Sequence, residues 1–190
     1  MLLLTFMNIK LFVAIPSEFQ PEYCPETVEL FYTGVGKVNA AIRATQVLLH
    51  SDPANTIVMN YGSAGSNIHP IHSLLRCRKF QQADIDGRPL VCDAGITPFD
   101  SLIYPQLATE IISFGEDGHL CTTQDQFQQK PIHEINDMEV YSIAKVCKIM
   151  GFDFVSYKFI SDGGDAHDWE DNHHLGIEAF LDVLKKEYKH

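Results

Sequence analysis

Continuous apolar runs recur along the chain, and several end in small or acidic residues. Asn8–Ile15, Val28–Thr33 and Thr56–Asn60 read as buried strands, each opening onto a loop. Phe152–Ile160 reads as a further buried strand, and Asn39–His50 has the apolar spacing of a helix. This order of elements is typical of an α/β domain, in which ligands bind at the carboxyl edge of the sheet.

The stretch from Asn136 to Asp165 combines a helix, a strand and an acid near each end. Asn136 or Asp137 is expected to cap the helix, and Gly151 stands where the helix should stop. The helix should start at the carboxyl edge of the sheet, and the strand that follows it should end at the same edge. Glu139 and Asp162 should therefore lie close together there. Position alone leaves two interpretations open: a general acid with a ligand clamp, or a helix cap with a turn residue.

Other strand ends carry residues of the same kind. Glu18 follows the first strand, and the turn Gly34-Val35-Gly36-Lys37 follows the second. Such a turn can cradle an anion, but it lacks the full spacing of a phosphate-binding loop. Tyr61–Ser66 is rich in small residues, which either form a tight turn or let the backbone approach a ligand.

The remaining segments are predicted by turn signals and helical spacing. Asp86-Gly87 indicates a hairpin between two strands. The predicted elements are strands at Leu74–Ile85, Arg88–Val91, Ile111–Phe114 and His119–Thr123, a loop at Cys92–Tyr104, and a last helix at Leu175–Tyr188.

The amino-acid composition limits the classes of partner that the protein can have. The 190 residues are enough for one domain, 1–190, and 45% hydrophobic with 21% charged residues is a globular composition. A formal net charge of −11 argues against nucleic acid as a partner, because binding to phosphate backbones needs clustered Lys and Arg. The segment Met1–Ile15 is apolar but lacks a basic leader and is too short to span a bilayer, so no membrane partner is expected.

Cysteines and histidines do not form a recognisable metal or redox motif. The five cysteines are scattered without a CxxC pair, which is typical of reduced thiols in a cytoplasmic protein. The tract from Asp165 to His174 is rich in His and Asp, but its spacing matches no closed zinc motif. A solvated acidic start of a helix explains this tract better than a metal site, and no metal or cofactor is expected.

Four short motifs, in order along the chain, resemble the nucleoside phosphorylase/nucleosidase superfamily. Within it, the sequence is most similar to the 5′-methylthioadenosine/S-adenosylhomocysteine nucleosidases. The resemblance extends from Asn8 to about Asp171. The motifs are Tyr32-Thr33-Gly34-Val35-Gly36-Lys37-Val38-Asn39-Ala40-Ala41, Asn60-Tyr61-Gly62-Ser63-Ala64-Gly65, Asp137-Met138-Glu139 and Ile160-Ser161-Asp162.

The resemblance implies a three-layer αβα domain with a mixed central β-sheet, a homodimer, and hydrolysis of the N-glycosidic bond of a small purine nucleoside. It implies that Asp162 is the general acid that helps the base leave, and that Glu18 activates water. Glu139 would hold the ribose hydroxyls, with Met138 against the sugar. The other residues that it implies at the substrate site are Ser63 and Lys158 (beside the water), Phe127 (stacking on the base), Val35, Ala64, Gly65 and Trp169.

Two departures from the family accompany this resemblance. Lys158 stands where the family usually has Arg, so a point charge replaces a planar fork. The segment after Ile85 is shorter than the one that closes the 5′ pocket and packs the dimer in the nucleosidases.

The nucleophile and the catalytic competence are the open questions. Phosphorylases of the superfamily hold phosphate with arginines, but the corresponding places here are Asn60 and Pro16–Gln20, without Arg. Hydrolysis is therefore preferred to phosphorolysis. The alternatives are a phosphate-dependent phosphorylase and a nucleoside-binding protein without activity, and a futalosine-like nucleoside would also be compatible as substrate.

Overall fold

The structure is a computed structural model that describes residues 7–88, 93–107, 111–130 and 133–188. Within these ranges the chain forms eight strands in one sheet and five α-helices. The strands are β1 (Asn8–Val13), β2 (Val28–Tyr32), β3 (Thr56–Gly65), β4 (Leu74–Gln82), β5 (Ile112–Ser113), β6 (His119–Thr123), β7 (Ile135–Asp137) and β8 (Asp153–Asp162). The helices are α1 (Lys37–Leu48), α2 (Asp100–Ile103), α3 (Val140–Met150), α4 (Ala166–Asn172) and α5 (Ile177–Glu187).

The sheet is mixed, and part of it closes on itself. Strands β2, β1, β3 and β8 are parallel neighbours in that order. β8 pairs with β4 in antiparallel orientation, β4 with β6 and β6 with β7 in parallel orientation. Gly65 at the end of β3 then pairs with Asn136 of β7, which completes a ring of five strands. The predicted mixed central sheet is confirmed.

Helices cover both faces of this sheet. Ala40, Ala44 and Leu48 recur along one face of α1 and pack with α3 into one hydrophobic cluster. On the other side of the sheet, Phe180 and Leu184 of α5 pack into a second cluster with residues of β1, β3 and β8. The expected three-layer arrangement is therefore confirmed.

Local sequence explains the ends of these elements. Leu11, Phe12 and Val13 are fully buried on both faces of β1, as a continuous apolar run predicts. Gly151 ends α3 in the left-handed conformation with a φ of 80°, which confirms the predicted stop.

Several predicted bounds differ from the structure. Helix α3 begins at Val140, because Asn136 and Asp137 already belong to β7. Strands β3 and β8 extend to Gly65 and Asp162, beyond the predicted ends at Asn60 and Ile160, because both join the closed ring.

The first strand of the predicted hairpin around Asp86-Gly87 is present as β4, but it ends three residues earlier than the predicted Ile85. Strand β4 ends at Gln82, and its antiparallel partner on that edge is β5. Most of Arg88–Val91, the other half, lies outside the described residues. The predicted loop Cys92–Tyr104 contains the short helix α2, and the last helix is Ile177–Glu187.

Two expectations from composition concern the thiols and membranes. The four described cysteines, Cys24, Cys77, Cys121 and Cys147, are free thiols. In the described ranges, the helices are all too short or too polar to span a bilayer.

Candidate active site

A cavity of about 250 Å³ lies where β1, β3 and β8 end and α3 begins. Glu139 and Asp162 both line it, as the order of helix and strand predicts. All of the residues expected at the site except Lys158 contribute to its wall. They are Glu18, Val35, Ser63, Ala64, Gly65, Phe127, Met138, Glu139, Asp162 and Trp169.

Glu18 is held by one of its two carboxylate oxygens. Its Oε1 accepts hydrogen bonds from the backbone N–H of Ser63 at 2.8 Å and from the Ser63 hydroxyl at 2.6 Å. Trp169 Nε1 donates to the same hydroxyl at 2.9 Å. The indole therefore orients the Ser63 side chain, which in turn orients Glu18. Glu18 Oε2 is buried and has no hydrogen-bond partner among the described residues, which leaves a strong acceptor beside the cavity.

Asp162 ends β8, and its carboxyl group is buried. Oδ2 accepts from the Ser161 hydroxyl and Oδ1 from the backbone N–H of Gly164, both at 2.8 Å. Burial raises the pKa of Asp162 above its usual value and outweighs these two hydrogen bonds, and the charges of Asp168 and Asp165 act in the same direction as burial. Asp162 therefore holds a proton more tightly than an exposed aspartate.

Glu139 lies immediately before α3, and its carboxylate reaches across the cavity. Its Oε1 accepts the backbone N–H of Gly36 at 2.8 Å. The neighbouring N–H of Lys37 is bound at 2.8 Å by Asp125, so this glycine turn binds carboxylates of the chain itself. Burial, with the negative charge of Asp137, raises the pKa of Glu139 to about 8.

Lys158 lies outside the cavity wall, where it forms a buried ion pair. Its Nζ is 2.8 Å from Asp137 Oδ2, and both side chains are 1% exposed. Burial alone would lower the pKa of Lys158, but the charge of Asp137 and its neighbours holds it above the usual value. A Cβ on Gly62 would lie 3.5 Å from both Lys158 Nζ and Glu18 Oε1, so the ammonium still faces the region of Glu18.

Asp137 organises the start of α3 as well as this ion pair. Its Oδ2 accepts the backbone N–H of Val140 at 2.8 Å, and its Oδ1 accepts the Thr123 hydroxyl at 2.5 Å. Sequence reasoning treated Asp137 as a helix cap and missed that it also lines the cavity. It also missed the cavity residues Ala14, Ile15 and Asn136, whose only signal was their position at strand ends.

Two less buried residues also line the cavity. Phe127 and Val35 are 38% and 46% exposed, which leaves ring and side-chain surface free to contact a ligand. The loop that carries Phe127 is tied to α1, because Lys37 forms ion pairs with Asp84 and Asp125. The backbone N–H of Asp125 in turn donates to Asp84 at 2.9 Å.

Cations are absent from the cavity wall as far as the chain is described: its lining includes no Lys, Arg or His. Asn60, at a place where phosphorylases hold an arginine, is engaged inside the sheet. Its Nδ2 donates to the Phe12 carbonyl at 3.0 Å, and its Oδ1 accepts from Ser156 at 2.7 Å. The geometry thus offers carboxylates to a ligand and no arginine fork for phosphate.

The His- and Asp-rich tract forms the whole of α4, a short helix that was not predicted as a separate element. Asp165 accepts the backbone N–H of His167 at 2.8 Å, which makes it the N-cap of this acidic helix. Among described residues, the group whose ligand atoms lie close enough to share a metal ion is a different one, His69, His119 and Glu134, outside this cavity.

Comparison with solved structures relates this architecture to known enzymes. Futalosine hydrolase of Helicobacter pylori superposes with a TM-score of 0.77 at 18% identity, covering 95% of this chain and 96% of that chain. A mutant of the Helicobacter pylori nucleosidase, with 5′-methylthioadenosine in its active site, gives 0.78 at 17% identity, covering 96% and 98%. The 5′-methylthioadenosine/S-adenosylhomocysteine nucleosidase of Neisseria meningitidis, in complex with methylthio-immucillin-A, gives 0.76 at 17% identity, covering 93% and 96%.

No protein-family model matches the sequence. The structural agreement nevertheless extends over almost the whole of each chain, and it includes both kinds of hydrolase. This protein therefore has the fold of the nucleoside phosphorylase/nucleosidase superfamily.

Proposed function

We propose that this protein hydrolyses the N-glycosidic bond of a purine nucleoside and releases the free base. The observation that carries the proposal is the convergence of four buried carboxyl groups on one cavity: those of Glu18, Glu139 and Asp162, and that of Asp137, which is paired with Lys158. The fold shared with nucleosidases supports the same reaction class.

Asp162 is the proposed general acid. Burial raises the pKa of Asp162, which favours the protonated carboxyl group that a general acid requires. Transfer of that proton to a nitrogen of the purine neutralises the leaving base as the C–N bond breaks. A positioned acid of this kind typically contributes about a hundredfold to ten-thousandfold in rate.

Glu18 is the proposed base that activates water. Its Oε2 has no hydrogen-bond partner in the described part of the chain, while Ser63, itself bound by Trp169, holds the other carboxylate oxygen in place. Water adds its hydroxide to the sugar carbon and gives its proton to Glu18, and the electrons of the C–N bond leave with the base. Negative charge at Glu18 also stabilises the cationic sugar that develops in the transition state.

The substrate would lie between Glu139 and the apolar part of the cavity. We assign the ribose hydroxyls to Glu139, the sugar face to Met138 and the base to Phe127, with Val35 and Trp169 completing the wall. Ser63, Ala64 and Gly65 have little side-chain bulk, which permits close approach of the ligand. Lys158 does not line the cavity, and its proposed role is to hold Asp137 in position through their ion pair.

A 5′-alkylthioadenosine of the methylthioadenosine or S-adenosylhomocysteine type is the first choice of substrate. Known nucleosidases of this fold bind such ligands. A futalosine-like nucleoside is the second choice, because a futalosine hydrolase superposes equally well. Water rather than phosphate is the proposed nucleophile, since the described cavity wall carries no basic side chain.

The test is release of adenine from 5′-methylthioadenosine, with and without phosphate, by the wild type and by Asp162→Asn. We expect phosphate-independent release that falls at least about a hundredfold in the variant. Asp171→Asn is the matched control, because it removes an exposed charge on α4 that does not act on Asp162, and it should retain activity. Release only with phosphate would indicate a phosphorylase, and binding of purine nucleosides without release would indicate a binding protein.

The cellular location and the oligomeric state are proposed on separate grounds. Free thiols at the described cysteines favour the cytoplasm. An exposed apolar row formed by Val38 and Ile42 of α1 and by Leu49, which caps its end, favours a homodimer.

A further inference from the structure

We propose that His69, His119 and Glu134 form a binding site for a divalent transition-metal ion of the Zn²⁺ type. Each residue offers one ligand atom, and these atoms all lie within 4.8 Å of one another. Two imidazoles and a carboxylate are a donor set that suits Zn²⁺ and its neighbours better than Mg²⁺ or Ca²⁺, which prefer oxygen alone.

The distances are those of a site that needs only a small adjustment. His69 Nε2 is 2.9 Å and His119 Nδ1 is 2.5 Å from the same atom, Glu134 Oε1. Ligand atoms around a tetrahedral zinc ion are about 3.3 Å apart, because each bond is about 2.0–2.2 Å long. Each nitrogen would therefore move away from the Glu134 oxygen by less than about 1 Å to admit the ion.

The backbone holds the three ligands in place. The Ser66 hydroxyl donates to the Glu134 carbonyl at 2.7 Å and accepts the backbone N–H of His69 at 3.0 Å, so one side chain fixes two ligands. His119 is the first residue of β6 and is paired with Cys77 of β4. The two imidazoles meet edge to face, with centroids 4.9 Å apart and an interplanar angle of 82°.

Access from solvent is open. The side chains of His69, His119 and Glu134 are 20%, 38% and 33% exposed. Three protein ligands leave a fourth position of a tetrahedral ion for water, so an ion can enter from solution without unfolding the site.

An ion here would link the loop after β3 to the starts of β6 and β7. Gly65 and Asn136, which line the cavity, are a few residues from His69 and Glu134 along the chain. The site would therefore brace one wall of the cavity without contributing to its chemistry.

The experiment is a zinc titration by calorimetry on untagged protein previously treated with a chelator. We expect one Zn²⁺ per chain, with affinity at least about tenfold weaker in His119→Ala and in Glu134→Gln, since loss of even an outer-shell partner costs about that much. His167→Ala is the matched control, because it removes an exposed histidine from α4 and should bind Zn²⁺ as the wild type does. No binding by the wild type, or unchanged affinity in both ligand variants, would overturn the proposal.

A second measurement avoids the risk that a variant fails to fold. Diethyl pyrocarbonate modifies accessible histidines, and mass spectrometry locates the modified residues. In the wild type, Zn²⁺ should protect His69 and His119 and leave His167 reactive. Equal modification with and without Zn²⁺ would place any bound zinc elsewhere. Neither measurement uses nucleoside turnover, so failure here would leave the proposed hydrolase untouched.

Discussion

The surroundings of Glu139 shift its pKa in opposite directions. It is 8% exposed and stands beside Asp137, which favours the protonated form, while the Gly36 N–H favours the carboxylate. The balance raises the pKa of Glu139 to about 8, against about 4.3 for an unfolded glutamate. Between these two values the folded protein retains a proton that the unfolded chain releases. Stability is therefore lost as the pH rises through this window.

The prediction concerns Glu139→Gln, which removes this proton equilibrium while keeping the shape of the side chain. The free energy of unfolding of the wild type should fall from pH 5 to pH 8 more steeply than that of the variant. The difference in slope is at most about 1.4 kcal/mol per pH unit. Urea unfolding at several pH values measures it, and Glu26→Gln, at an exposed site, should keep the wild-type slope. Parallel slopes for the wild type and Glu139→Gln would show that the carboxyl group ionises normally.

Single residues were predictable where they follow a strand or belong to a short motif. Glu18 follows the first strand, Glu139 and Asp162 belong to motifs, and all three line the cavity. Lys158 lies in the middle of β8, where its neighbours in sequence say nothing about the partner that it meets across the sheet. His69 and Glu134 are 65 residues apart, and only the folded sheet brings them together.

At the scale of elements, the predictions located seven of the eight described strands and missed β7. Strand β1 is a continuous apolar run, whereas β7 has three residues, Ile135–Asp137, with no periodicity to detect. Its assignment depends on pairing with β3 and β6, which are distant in sequence. The same pairing places Asn136 and Asp137, the expected helix caps, in β7, and α3 begins at Val140.

The start of α5 depends on the small size of Gly176. A Cβ at this position would lie 2.4 Å from the Phe159 ring and 2.6 Å from the Tyr61 hydroxyl, far inside van der Waals contact. The backbone there has a φ of −82° and a ψ of −4°, which any residue adopts, so the restriction is one of packing alone.

We predict that Gly176→Ala lowers the free energy of unfolding by about 1–3 kcal/mol, because α5 must shift away from β3 and β8. Chemical denaturation measures the loss. Gly163→Ala is the matched control, since its Cβ would meet nothing closer than the Ser66 carbonyl at 3.8 Å. The control should change stability by no more than about 0.5 kcal/mol. Equal stability of both variants would mean that α5 accommodates the methyl group without cost.

At the scale of the whole molecule, α1 and its C-cap Leu49 have two apolar faces, and the described residues cover one of them. Ala40, Ala44 and Leu48 pack into the core, while Val38, Ile42 and Leu49 are 69%, 53% and 62% exposed. Ile68 and Ile71, in the loop after β3, are also exposed. Apolar surface of this kind is typical of a protein interface, and the row begins three residues after Val35, which lines the cavity.

We therefore predict a homodimer whose interface includes α1. Light scattering should give a mass of twice 21.4 kDa for the wild type, and Ile42→Lys should shift it toward the single-chain mass, because burying an unpaired ammonium opposes association. Leu102→Lys on α2 is the matched control, since Leu102 is 78% exposed and apolar but lies on a different helix. A wild-type mass of 21.4 kDa would remove the dimer, and dissociation by Leu102→Lys but not by Ile42→Lys would move the interface from α1 to α2. Because Val35 precedes α1 so closely, loss of the dimer in Ile42→Lys should also weaken nucleoside binding, while Leu102→Lys leaves it unchanged.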